Sequence, residues 1–147
     1  MNVLITGGAG YVGTELLARL ALNKEITKIT IYDNLSRGHR SLFLGTKVPF
    51  LSKIEFVHGE ILDSRLLKKK LIDTDVLIHL AAIVTTPFAN TDPHFYEQVN
   101  HWGTAEVVYA AEESGVSKFI HLSSTAVYGT GADLAGESTL PLPQTYY

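Results

Sequence analysis

Thr6-Gly7-Gly8-Ala9-Gly10-Tyr11-Val12-Gly13 is the stretch from which the fold can be read. It follows a short apolar run, Val3-Leu4-Ile5, and it opens a segment in which Val12, Leu16, Leu17 and Leu20 recur at helical spacing. A strand, a glycine turn and an amphipathic helix are thus expected in that order. The glycines at 7, 10 and 13 have separate reasons to be there. Gly7 allows a sharp exit from the strand, Gly10 removes a side chain where a pyrophosphate would approach the backbone, and Gly13 lets the helix pack closely. The first helical turn then offers unpaired N–H groups and the positive end of the helix dipole to an anion. The plainer alternative is a tight strand–helix turn with no ligand.

Outward from that turn the same alternation continues. Ile29-Thr30-Ile31-Tyr32, Ile54-Glu55-Phe56-Val57, Val76-Leu77-Ile78 and Phe119-Ile120-His121-Leu122 read as further buried parallel strands. A long helix is expected with Val99, Trp102, Val107 and Ala110 or Ala111 on one face, ended by Gly115 before Lys118 opens the last strand. Lys68-Lys69-Lys70 reads as the wet face and end of a short helix. The Gly-, Pro-, Ser- and Thr-rich stretch 129–143 reads as a surface loop. Alternating strands and helices imply an α/β fold of the Rossmann type: a doubly wound parallel sheet of five strands, with right-handed crossovers and helices on both faces. Residues 1–147 are expected to form the first five strands of one such domain, without repeat or linker, its later strands and substrate region falling outside them.

Asp33 is the second signal. It ends the second predicted strand about 20 residues beyond Gly13, where a carboxylate accepts hydrogen bonds from an adenosine ribose and repels a 2′-phosphate. This favours NAD over NADP, although Arg37 and Arg40 could soften the preference. The alternative for Asp33 is a simple turn former at a strand end.

Composition excludes several classes. The chain has 147 residues, is 46% hydrophobic and 18% charged, carries a net charge of −3 and has no basic stripe, so nucleic acid is not an expected partner. No apolar run approaches the ~20 residues a bilayer needs, and no leader pattern precedes Val3. The absence of cysteine removes thiol metal sites and disulfides and fits the cytoplasm. The six histidines show no metal-ligand spacing, so no metal is expected. His58, His79 and His121 read as packed or satisfied residues near strand ends. Phe88, Phe95, Tyr96 and Trp102 read as core or subunit contacts sooner than as a base-stacking surface.

These motifs together resemble the extended short-chain dehydrogenase/reductase family, and within it the NAD-dependent nucleotide-sugar epimerases and dehydratases of the UDP-galactose 4-epimerase type. Gly7 to Gly13, including Tyr11 and Val12, is similar to the family's opening. Asp33-Asn34-Leu35-Ser36-Arg37-Gly38 resembles its ribose-binding stretch. Gly59-Glu60-Ile61-Leu62-Asp63 stands where the family has G-D-I-x-D against adenine, with Glu60 replacing the usual aspartate. His79-Leu80-Ala81-Ala82 resembles the cofactor-lining end of strand four. Val99-Asn100-His101-Trp102-Gly103-Thr104 resembles V-N-x-x-G-T, whose Asn approaches the cofactor. Ser123-Ser124-Thr125-Ala126-Val127-Tyr128-Gly129 resembles S-S-x-x-V-Y-G.

The resemblance implies an enzyme that removes a hydride from a sugar C–OH to NAD and passes through a transient keto-sugar. Ser124 would be the hydroxyl residue, with Ser123 and Thr125 as weaker candidates. Tyr147, with Tyr146 as second choice, would be the base. The family's lysine comes four residues after the Tyr, and these 147 residues stop before it, so this segment by itself is expected to bind a cofactor and do little chemistry. A homodimer is implied as well, with Trp102 on a helix that often lies at the subunit interface. Two alternatives remain. A 4,6-dehydratase would carry Asp-Glu where this chain has Thr125 and Ala126. A non-catalytic dinucleotide-binding module would have no use for Ser124 and Tyr147.

Overall fold

A computed structural model of the chain describes residues 1–38, 49–85, 90–130 and 134–147. His39, Arg40 and Phe88 lie outside the described residues. The five expected strands are present: β1 Asn2–Thr6, β2 Lys28–Asp33, β3 Ile54–His58, β4 Val76–His79 and β5 Lys118–His121. They form one parallel sheet in the order β3-β2-β1-β4-β5. The chain therefore winds outward one way from β1 and then crosses back to continue the other way, which makes the junction of β1 and β4 the topological switch point.

Both faces of the sheet are covered, as the alternation of elements implied. Helix α1 (Tyr11–Ala21) packs Leu17 and Ala21 against Val3, Ile5, Ile29 and Ile31 on one face. Helices α2 (Ser64–Leu71) and α4 (Gly103–Ser114) bury Leu67, Leu71, Val107 and Ala110 against Leu4, Tyr32 and Leu77 on the other. Successive strand residues point to opposite faces, so Leu4 joins one core and Val3 and Ile5 the other. Each large side chain fully buried in this way stabilises the fold by roughly 1.5–3 kcal/mol. Asp63 caps α2 by accepting from Leu66 N at 3.1 Å. Gly115 closes α4 in the left-handed region at φ 72°, as its position in the sequence suggested.

Four expectations need correction. Val12 leaves the buried face of α1 and is 52% exposed, because it lines an open cleft at the start of that helix. Trp102 is 56% exposed. The helix is not continuous there: α3 (Pro93–Tyr96) runs into a wider, π-type stretch, Glu97–Trp102, before α4 begins. The extra residue in each π turn resets the phase, so Val107, Ala110 and Ala111 reach the core and Trp102 does not. Leu122 falls beyond β5. Lastly, β5 stands at the edge of the sheet formed by the described residues, and its residues are exposed, not buried.

Candidate cofactor cleft

A cleft of about 420 Å³ opens at the carboxyl ends of β1 to β4, over the switch point. One wall is the glycine turn. Gly7 has φ +69°, and a Cβ there would stand 2.6 Å from Ala81 N, so only glycine lets the β1 and β4 exits approach this closely. A Cβ on Gly13 would meet Gly8 Cα and O at 2.5 Å, so this glycine seats α1 directly on the turn. Gly10 differs: its φ is −73°, and the one near neighbour of a Cβ would be Gly7 O at 3.1 Å. A side chain there would project into the cleft. No side chain caps α1, so the first-turn amides of Tyr11, Val12 and Gly13 are left for an anion.

The second wall comes from β2 and β3. Asp33 accepts from Ala9 N at 3.0 Å through Oδ2 and from Leu35 N at 2.8 Å through Oδ1. It thereby ties the glycine turn to the following loop, where Leu35 adopts φ 56°. Asn34 Nδ2 donates to Glu60 Oε2 at 2.6 Å, and Glu60 Oε1 accepts from Ile61 N at 2.9 Å. Tyr32 lies beneath them, its hydroxyl donating to Glu60 O at 2.9 Å. Burial, with the charges of Asp63 and Glu60, pushes the Tyr32 phenol up to about 12, so it is a fixed donor and not a base.

The third wall is the chain leaving β4, Leu80 to Thr85, with Phe95, Val99 and Leu122 at its rim. Of the residues singled out from sequence, Gly7, Gly10, Tyr11, Val12, Gly13, Asp33, Asn34, Ser36, Arg37, Glu60, Ile61, Leu80, Ala81 and Ala82 all line this one cleft. Gly38 does not line it: its N–H closes a turn on Leu35 O. Nor does Asn100, whose amide is committed to the backbone of Ile83, accepting from its N at 2.8 Å and donating to its O at 3.0 Å. Asn100 therefore shapes the third wall from behind. Tyr32, Leu35, Gly59, Ile83, Val84, Thr85 and Phe95 line the cleft without having been singled out for it. Tyr32 and Gly59 carried a usable signal, since each adjoins a residue of the fingerprint. Tyr96 is buried and donates to Thr85 O at 2.6 Å.

Ser124 Oγ accepts from Ala126 N at 3.2 Å and starts a 3-10 turn, Thr125–Tyr128, beyond β5. Tyr147 is half-buried at the end of a segment that returns to this turn through Leu142 N to Val127 O at 2.8 Å. Neither lines the cleft, and both belong to the β5 side of the molecule. Among the described residues no cluster of His, Cys, Asp or Glu could hold a metal ion, and no helix is long and apolar enough to cross a membrane.

The cleft suits a dinucleotide by its own chemistry: uncapped helical amides for phosphate, a carboxylate one strand away, and apolar walls for flat rings. Known proteins agree with this geometry. The profile of the NAD dependent epimerase/dehydratase family matches residues 3–147. A probable UDP-arabinose 4-epimerase from Arabidopsis thaliana is 33% identical over 87% of the chain and 32% of its own length. A dTDP-glucose 4,6-dehydratase from Streptomyces antibioticus is 32% identical over 88% of the chain and 39% of its own length. The crystal structure of UDP-glucose 4-epimerase from Brucella ovis in complex with NAD superposes with a TM-score of 0.84 at 32% identity, covering 99% of this chain and 43% of that one. The chain thus spans less than half the length of these relatives.

Proposed function

Because the chain belongs to the NAD dependent epimerase/dehydratase family, we propose that it is the NAD-binding segment of a nucleotide-sugar epimerase. The observation that carries this reading is the convergence of the uncapped glycine turn and Asp33 on one cleft at the switch point. The amides of Tyr11, Val12 and Gly13 would hold the pyrophosphate. Asp33 would take the ribose hydroxyls with the lone pairs that Ala9 and Leu35 leave free, since a carboxylate offers about four acceptor sites. Asn34, Ser36, Arg37, Glu60 and Ile61 would border the adenosine, and Leu80, Ala81 and Ala82 the nicotinamide half. Bound NAD supplies a hydride acceptor that can return what it takes. In that scheme Ser124 hydrogen-bonds the sugar oxygen and Tyr147 receives its proton. The lysine that assists such a tyrosine falls outside these residues, so a polypeptide of residues 1–147 would bind NAD without turnover.

A dehydratase is the second reading, favoured by the similarity to a dTDP-glucose 4,6-dehydratase. Thr125 and Ala126 occupy the places where that chemistry requires an acid and a base, so the epimerase reading is preferred. A nucleotide sugar as substrate and a homodimer as the assembly belong to the same proposal. Calorimetric titration tests the cofactor half. NAD should bind more tightly than NADP, and Asp33→Asn should weaken NAD by about tenfold, the worth of one charge-assisted bond to a ribose hydroxyl, and NADP by less, so that the gap narrows. Equal affinities in the unaltered chain would sink the assignment.

A further inference from the structure

We propose that His79 is a positioning residue of the cofactor cleft: its ring, fixed as the Nε2–H tautomer, is the middle link of a hydrogen-bond string that sets Ala81 and Ile83 of the third wall against β1 and α4. The proposal rests on the reading of the cleft as a cofactor site. His79 is the last residue of β4 and is 1% exposed. Its Nδ1 lies 2.6 Å from Thr6 Oγ1, and its Nε2 lies 3.0 Å from Thr104 Oγ1.

The tautomer follows from the partners. Thr104 has one hydroxyl proton and gives it to Asn100 O at 2.7 Å, since a carbonyl can only accept. Thr104 Oγ1 must therefore accept from His79, which puts the ring proton on Nε2. Bare Nδ1 then accepts from Thr6, leaving Thr6 Oγ1 to accept from Ala81 N at 3.5 Å. The string runs Ala81, Thr6, His79, Thr104, Asn100, and the Asn100 side chain clamps Ile83 on both backbone atoms. One end of the string thus lands on Ala81 in the cleft wall, and the other on Asn100, whose side chain holds the cleft residue Ile83. The Thr6 end reaches the junction where Gly7 already sits in closest approach to Ala81.

The ring plane is set as well. His121 of β5 stacks on it at 5.4 Å between centroids, and Phe119 at 6.3 Å. Burial, and then the neighbouring His121, holds His79 down to about 4. The ring is thus neutral near neutral pH, as the string requires.

A satisfied core histidine would stabilise the fold and leave cofactor affinity alone, and the two roles separate by experiment. Nitrogen NMR of the whole chain without cofactor should show His79 protonated at Nε2 and bare at Nδ1. Titration of NAD into folded His79→Phe should show affinity reduced by about tenfold, and Thr104→Val a smaller loss in the same direction. His79→Gln, which keeps a donor toward Thr104, should recover part of the loss. If His79→Phe fails to fold, Thr104→Val carries the affinity test. A proton on Nδ1, or unchanged NAD affinity in the folded variants, overturns the proposal. An unaltered chain that binds no NAD would instead overturn the function proposed above, and the tautomer measurement would still judge the string.

Discussion

Gly10 and Gly13 stand three residues apart in one motif, yet they answer to different constraints. A Cβ on Gly13 collides with the backbone of Gly8, so any side chain there pushes α1 off its turn. Gly10 has a backbone conformation open to every residue and one moderate neighbour, Gly7 O. Gly10→Val should accordingly keep the far-ultraviolet circular dichroism of the parent while losing NAD binding by at least about a hundredfold, ~2.7 kcal/mol. Gly13→Val should lose the fold itself. A folded Gly10→Val that binds NAD as the parent does would leave the turn with a structural role alone. The spacing of the glycines was legible in sequence, and so was Asp33. That Asp33 also braces the turn through Ala9 was not, because the bond joins residues 24 apart whose approach depends on β1 pairing with β2. The bonds of Asn100 to the Ile83 backbone were hidden for a related reason. A motif tells which residue matters near a ligand, but it does not tell whether the side chain faces the ligand or the backbone behind it.

At the scale of elements, the strands were the most readable part, since short β-branched runs buried on both faces have few other homes. The helix through Asn100 was less so. A strict 3.6-residue period places Val99, Trp102 and Val107 together, and nothing in their chemistry announces the π-type stretch Glu97–Trp102. Elements are also joined by charge. Glu55 of β3 pairs with Lys28 of β2, at 2.6 Å, and with Lys70 of α2. The hydrogen bond from Lys28, then that from Lys70, lowers the Glu55 carboxyl below its ordinary 4.5. The folded state therefore binds this proton less readily than the unfolded state. The stabilisation is present in full above the ordinary value and is lost as pH falls from there through the lowered folded-state value. The pair is partly exposed, so the effect is modest and screened by salt. Denaturant midpoints measured from pH 7 to pH 3 should fall less steeply in Glu55→Gln than in the parent, and identical slopes would count against the pairing.

For the molecule as a whole, the sheet is protected unevenly. The β1–β2–β4 centre is covered on both faces, while β5 presents Phe119 at 37% and Ile120 at 45% exposure, and Leu122 just beyond it is 57% exposed. Leu134, Leu140, Leu142 and Tyr146 in the segment beyond are exposed too. An apolar edge of this kind seeks a cover. A polypeptide confined to residues 1–147 should self-associate at micromolar concentration and bind a surface-sensitive dye, as read by light scattering and fluorescence; a stable, dye-silent monomer would contradict this.

The string through His79 has a direction. It begins at an amide, which can only give a proton, and ends at a carbonyl, which can only take one. Carrying a proton along such a row requires every hydroxyl and the ring to turn around in sequence, and neither terminus permits the reversal. The row is therefore an insulator and not a wire. Although it starts at Ala81 in the cleft wall, it cannot carry a proton from the cleft into the core.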